Sequence, residues 1–321
     1  MRPLFGRLFG QDCYANIVRE KGVTETTCFP AYRQGEIRAM TTQVMAPWSN
    51  ERKPQMYEEA IFLMGMARSG TSWVGQIFDS CPEVRYRFQP LFAYQFRERD
   101  FSKELLREIY LSRDPFVCQR NLAEFLANEQ DYAPFTNVDD PTTMVLKMIR
   151  FHHLVERIIE DSAVVYLVRH PCGAINSWLN SPECKVRDNP EEWRTGEKKK
   201  EGERNRSGIR EYCGFDDWKT VTLDYLRLAE RFPDRCRIQS YEAMVDDTLG
   251  ETQALFDWCD IPFTEQTQQF IELSRRSHSD DPYAVLKDSR RVSKQWERQL
   301  EPQIRDVIIG EVTGTPLERF V

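Results

Sequence analysis

The sequence predicts an α/β fold of three layers, with a central and mostly parallel sheet between helices, and three observations carry that prediction. Apolar runs of strand length recur along the 321 residues. Segments with helical spacing alternate with them, the pattern of a parallel sheet covered on both faces. The first strand-to-helix join is a glycine-bearing turn, the opening of a βα unit.

Taken in order, residues 1 to about 55 show no periodicity and hold Pro30, Pro47 and Pro54. They read as an N-terminal extension packed on one main domain, 56–321. The run 60–64 (AIFLM) ends in Gly65 and reads as a buried strand. Residues 69–80 follow with Trp73, Ile77 and Phe78 at helical spacing. A second strand is expected at 144–149, with a helix over 151–161. A third is expected at 163–168, with a helix opening at Pro171, where proline suits the first turn. A helix around 220–231 precedes a fourth strand at 237–241. Between about 180 and 215 the pattern dissolves into charge, centred on Glu197-Lys198-Lys199-Lys200-Glu201. That segment reads as a mobile, solvated insertion, and alternatively as a lid over an acceptor.

Composition excludes several classes. A net charge of −7 argues against a general nucleic-acid binder, so any anion site must be a local basic constellation. No stretch approaches the roughly 18 apolar residues of a membrane span. Residues 1–11 carry Arg2 and Arg7 but no long apolar core, so export is not expected. The nine cysteines are scattered, odd in number and never paired as Cys-x-x-Cys, which suits a reducing compartment. His152 and His153 are adjacent and lack the spacing of helical metal ligands. The expectation is a cytoplasmic, metal-free protein. Nothing in the sequence sets the number of copies.

Residues 65–72 (GMARSGTS) nearly fit the Walker A pattern of a P-loop NTPase. Such a loop turns backbone N–H groups toward an anion, and the helix behind it adds its positive end. Thr71 stands where the Walker lysine belongs, and the basic residue lies earlier, at Arg68. The cradle for a 5′-phosphate is kept while the expected Mg-nucleotide chemistry is removed. Further on, Arg169 ends a buried strand, where ligands of open α/β sheets bind. Ser177, eight residues later, should face the same crevice about two helical turns on. Arginine fork and hydroxyl together make a phosphate clamp.

With both segments in place, the chain resembles the sulfotransferases that use 3′-phosphoadenosine 5′-phosphosulfate (PAPS). Residues 65–73 are similar to the family's 5′-phosphosulfate loop, and 169–177 to its 3′-phosphate motif. Residues 241–244 (YEAM) resemble a strand-end stretch on the adenine side, and 289–296 (SRRVSKQW) the late basic loop. Residues 81–91 resemble the carbohydrate-type branch, with Gln89-Pro90 at its Glu-Pro pair. The resemblance runs from about residue 60 to 300. It implies that Arg68, Ser69, Gly70, Thr71 and Ser72 bind the 5′-phosphate, with Arg68 also catalytic. It further implies that Arg169, Ser177 and Arg290 or Arg291 hold the 3′-phosphate, that Tyr241 supports adenine, and that PAP leaves as product.

An alcohol acceptor needs a base within hydrogen-bond reach. The arylsulfotransferase branch has a histidine shortly after a strand-end lysine, but here Lys147 is followed by Met148 and Ile149. The carbohydrate branch has a glutamate where this chain has Gln89, and an amide is no base. His152 and His153 are the nearest substitutes, with His278 more remote. The acceptor is expected beside Gln89, His152 and the 180–215 insertion, among Phe88, Phe92, Tyr94 and Trp193. A small molecule bearing a hydroxyl or amine fits; sugar, phenol and amine all stay open. Two rivals remain: a non-catalytic PAP(S)-binding homologue, and a P-loop ATP-dependent kinase.

Overall fold

The computed structural model describes residues 60–92, 102–112, 143–181, 191–276 and 289–321. They lie within one unit, Pro54–Val321. The expected extension, 1–55, lies outside the described residues, as do Tyr94 and His278.

The strands are β1 (Ala60–Met64), β2 (Val84–Phe88), β3 (Thr143–Met148), β4 (Ala163–Val168) and β5 (Cys236–Ser240). They form one sheet in the order β2-β3-β1-β4-β5, and every neighbouring pair is parallel. In chain order the helices are α1 (Thr71–Asp79), α2 (Lys103–Leu111), α3 (Val155–Asp161), α4 (Pro171–Leu179), α5 (Glu192–Thr195), α6 (Glu197–Ser207) and α7 (Phe215–Arg231). After β5 come α8 (Tyr241–Asp246), α9 (Thr248–Trp258), α10 (Glu265–Arg276), α11 (Ser289–Ser293), α12 (Trp296–Gln299) and α13 (Pro302–Val312).

Side-chain alternation along the strands decides the layers. Phe62, Met64, Leu146, Met148, Val164 and Tyr166 join one core with Ile158 of α3, Ile175 of α4, Tyr225 of α7 and Ile308 of α13. Their odd-numbered neighbours Leu63, Val145, Val165 and Leu167 join a second core with Val74 and Phe78 of α1, Leu255 of α9 and Phe270 of α10. Both faces are therefore buried, which is why these strands read as unbroken apolar runs. Each fully buried side chain of this size contributes about 1.5–3 kcal/mol. Helix α1, after β1, covers one face, and α4, after β4, covers the other. Because β1 and β4 are neighbours, a crevice opens at their carboxyl ends.

Two regions differ from the sequence expectation. Strand β2 alternates Val84, Tyr86 and Phe88 with Arg85 and Arg87, so it lacks an apolar run. Arg87 is buried all the same, donating from Nε to the Ile109 carbonyl (3.0 Å) and from Nη2 to the Tyr110 carbonyl (2.6 Å). Its charge is satisfied at the C-terminal end of α2, where helix carbonyls lack partners. Within the charged stretch 180–215, α5 and α6 stand where a loop is expected. The buried Glu192 carboxylate accepts from the Lys198 and Lys199 N–H groups (3.2 Å each), capping α6 and fixing its start. Residues 182–190 of that stretch lie outside the described residues.

Candidate functional site

The turn from β1 into α1 is shaped by steric necessity. A Cβ on Gly65 would sit 2.6 Å from the Thr71 methyl and 2.9 Å from the Leu167 carbonyl. Gly70 has φ +95°, and a Cβ there would meet the Tyr241 ring at 2.5 Å. Ser69 ties the turn to itself, its Oγ donating to the Met66 carbonyl (2.7 Å). Gly70 is the N-cap of α1 and offers no side chain to the first-turn N–H groups, and that turn carries no acidic residue. The helix start is thus left suited to an external anion. Ser69 and Thr71 are buried within the turn.

Arg68, also at positive φ (72°), crosses from this loop to α4, donating from Nε to Ser177 Oγ (3.2 Å). In return, Arg169 at the end of β4 donates from Nη1 to the Arg68 carbonyl (3.0 Å). The two motifs, a hundred residues apart in sequence, are locked by these reciprocal bonds. Arg169 is buried and donates from Nη2 to the Val292 carbonyl of α11 (3.3 Å). Its guanidinium stands 4.8 Å from the Tyr241 ring centroid. Its Nε has no acceptor among the described residues. A buried cationic donor without an acceptor is expensive unless an anion meets it. The donor set therefore fits a phosphate.

Supporting groups hold this arginine in place. The Trp218 indole donates to the Arg169 carbonyl (3.1 Å). The Glu242 carboxylate accepts from the His170 N–H (3.1 and 3.2 Å), and burial raises its pKa against the opposing pull of Arg169. His170 Nδ1 accepts from the Cys172 N–H (3.1 Å), and burial lowers its pKa to about 4, so the ring is neutral beside Arg169. That ring stacks on Trp296 of the late segment at 4.4 Å. Tyr241, the first residue of α8, is buried against Gly70 and meets the edge of Trp73 at 5.9 Å. Arg290 lies nearby but faces the end of α8, donating to the Val245 carbonyl (3.5 Å) and the Asp246 carbonyl (3.2 Å). The Arg291 side chain lies outside the described residues.

The ends of β2 and β3 form the other half of the site. Gln89 follows β2 at φ 43° and donates its N–H to the Lys147 carbonyl (2.8 Å). Gln89, Leu91, Met148, Ile149, Arg150 and Phe151 line a small cleft here. Phe151 is at φ 65°, so Arg68, Gln89 and Phe151, each just past a strand's carboxyl end, are strained non-glycine positions. Such conformations cost about 1–3 kcal/mol each and cluster at functional sites. Arg150 is paired with the buried Glu211 carboxylate (Nε to Oε2, 2.6 Å). Trp193, expected near the acceptor, stacks on Phe215 (6.0 Å) in the core.

Both candidate histidines sit just past β3. His152 is buried, its Nδ1 3.1 Å from the Tyr225 hydroxyl, and burial lowers its pKa to about 3. It packs edge-on against Tyr212 and Tyr225, with Nε2 unpartnered among the described residues. His153 is more exposed, with Nδ1 3.1 Å from the Tyr212 hydroxyl, and burial followed by Arg210 lowers its pKa. One residue escaped the sequence reading. Lys147, buried inside β3, carries its Nζ 4.2 Å from the Phe88 ring centroid. Burial, then Arg150, lowers its pKa to about 7. A lone lysine inside an apolar strand is the signal that marks it.

Among the described residues no cluster of three His, Cys, Asp or Glu stands ready to hold a metal, and no helix is long and apolar enough to cross a membrane. Human carbohydrate sulfotransferase 5 is 23% identical over 322 aligned residues, which cover 80% of this chain and 76% of that protein. Mouse sulfotransferase SULT7A1 complexed with PAP aligns at a TM-score of 0.46, with 13% identity over 82% of this chain and 86% of its own. The sulfotransferase domain of the Synechococcus PCC 7002 olefin synthase aligns at 0.45, with 14% identity over 76% of this chain and 89% of its own. The profile of the Sulfotransferase family matches residues 60–265, from β1 through the phosphate loop, Arg169 and Tyr241 to the start of α10. On that match, the chain belongs to the sulfotransferase family.

Proposed function

We propose that the chain transfers a sulfuryl group from PAPS to a hydroxyl or amine of a small-molecule acceptor by in-line displacement. The observation that carries this reading is the reciprocal bonding of Arg68 and Arg169, which joins a 5′-phosphate loop to a second anion site. An adenosine phosphate with a single phosphate chain needs only the first of these; a 3′-phosphate gives the second its occupant. PAPS supplies the sulfuryl group and a leaving phosphate oxygen.

The chain's own residues do the rest. The N–H groups at the start of α1, from Gly70 on, and the hydroxyls of Thr71 and Ser72 bind the 5′-phosphate, while Ser69, whose hydroxyl holds the Met66 carbonyl, shapes the loop around it. Arg68 holds developing charge on the leaving oxygen, the pre-organised electrostatic role that dominates such transfers. Arg169 and Ser177 take the 3′-phosphate, with Arg290 or Arg291 as the further cation of the late segment. Tyr241 walls the adenine side, and Gln89 faces the acceptor. His152 and His153, just past β3, are candidates for the base. That the human relative is a carbohydrate sulfotransferase supports a sugar hydroxyl as the acceptor to test first. The scattered, odd cysteine set supports a cytoplasmic location.

A second reading, a PAP-binding homologue without turnover, is favoured by Gln89 at the acceptor side. Incubation with ³⁵S-labelled PAPS and N-acetylglucosamine, 4-nitrophenol or a primary alkylamine separates the two. Labelled product with any of them supports transfer. Tight PAP binding with neither labelled product nor sulfate release means a binding module.

A further inference from the structure

We propose that Lys147, as a free amine, is the group that takes the acceptor's proton during sulfuryl transfer. The proposal rests on the sulfotransferase reading above and supplies a base on the loop's side of the sheet, where Gln89, an amide, cannot serve.

Position is the first argument. Lys147 pairs with Leu63 of β1, two residues before Gly65, and with Phe88 of β2, one residue before Gln89. It therefore stands between the strand that leads into the phosphate loop and the strand that ends at the acceptor side. By alternation it shares the sheet face of Val145 and Leu63, which α1 covers. The amine is thus on the loop's side of the sheet, near the carboxyl ends of the strands. His152 packs in the opposite layer, with Tyr166 and Tyr225.

Chemistry is the second argument. Lys147 Nζ is buried against the Phe88 ring, and the charge that acts on it is the Arg150 cation. An ammonium buried without an anion is penalised, so the neutral amine is favoured. The groups around it push the same way. Leu63 and Phe88 on the flanking strands are uncharged, as are Trp73, Val74 and Ile77 on α1. Asp79, the titratable group of α1, lies at its C-terminal end. Arg150, the charge that acts on the amine, is a cation. A base with a pKa of about 7 is matched to work near neutral pH.

The step balances. The acceptor oxygen forms its bond to sulfur while the bond from sulfur to the 5′-phosphate oxygen breaks. That electron pair leaves on the phosphate, toward Arg68. The acceptor's proton passes to Nζ, and the ammonium so formed later loses it to solvent. With water as acceptor the same step releases sulfate.

The test compares wild type, Lys147→Met and Lys147→Arg. PAP affinity is measured by calorimetry, PAP formation from PAPS plus N-acetylglucosamine is followed from pH 5.5 to 9.5, and lysine ¹³Cε resonances are titrated in the free protein. We expect a rising limb near pH 7 in wild type, matched by one lysine resonance that Lys147→Met removes. Both variants should bind PAP within about threefold of wild type while forming it ~10²–10⁴ times more slowly at pH 8, the range of general-base effects. Lys147→Arg keeps the positive charge, so near-wild-type turnover in that variant overturns the proposal. So does a Lys147 resonance in wild type that titrates above pH 9, a result that needs no folded variant and no acceptor. A wild-type chain that neither binds PAP nor forms it overturns the sulfotransferase reading itself.

Discussion

The donor half of the site and its acceptor half are built differently. Around β1 and β4, the functional groups cluster in a few short motifs, and several of them are braced across the fold. Arg68 bonds Ser177, Arg169 bonds the Arg68 and Val292 carbonyls, and Glu242 holds the His170 N–H. Around β2 and β3 the groups come from Gln89 and one short stretch, 147–153, in which Arg150 bonds Glu211 and the two histidines meet Tyr225 and Tyr212, while Lys147 lies against the Phe88 ring. A nucleotide with fixed phosphates rewards a rigid cradle. Cofactor binding therefore rests on the β1–β4 half, where Arg68 also serves the transfer, and substitutions should separate the two contributions.

The largest effect is expected from Arg68→Ala. Loss of one charge-stabilising donor typically lowers rate by about 10²–10³-fold, so transfer should collapse while PAP still binds. Pre-steady-state transfer beside calorimetric PAP binding checks this, and equal losses in both would merge the two functions. Arg169→Ala comes next. Removing a buried charged donor costs about 1.5–3 kcal/mol, or roughly 10–100-fold in PAP affinity, with little change in ADP affinity. An unchanged PAP dissociation constant would remove Arg169 from the 3′-phosphate site.

Gly70→Ala should destabilise the fold by about 1–3 kcal/mol, because φ +95° is strained for alanine and the new methyl meets Tyr241. Urea unfolding reads this directly, and an unchanged midpoint would contradict the packing of Tyr241 on the loop. His152→Phe is expected to act on pH dependence more than on rate. The folded-state pKa of His152, about 3, lies below the ordinary value of 6.5. The unfolded chain therefore binds the extra proton first, and stability falls as pH drops from 6.5 toward 3. His170, at about 4, acts in the same direction. Urea midpoints from pH 7 to 4 should flatten in His152→Phe, with transfer within a few-fold of wild type. A variant that folds but loses transfer would restore His152 as the base.

Legibility in the sequence follows the same division. The runs of β1, β3 and β4 are apolar because both faces are covered, and the turn at 65–70 needs its glycines for steric reasons. Those features read directly from the letters. Strand β2 does not, since Arg85 and Arg87 lie on a face where a helix end satisfies them. Helix α6 was hidden for a related reason: its anchor is the buried Glu192 carboxylate, and its own residues are almost all charged. Lys147 is legible only in part: a lone lysine in an apolar strand marks the position, but its burial against Phe88 comes from the neighbouring strand. Helical periodicity sets Ser177 toward the crevice, whereas its bond from Arg68 comes only from the tertiary arrangement.

Calorimetric titration of the wild-type chain with PAP and with ADP, in magnesium-free buffer, tests the joined anion sites most directly. The account predicts PAP binding at least about tenfold tighter than ADP, the worth of about 1.4 kcal/mol from the added phosphate contacts. Equal affinity for the two would mean that Arg169 meets no 3′-phosphate, and the donor site as described here would be wrong.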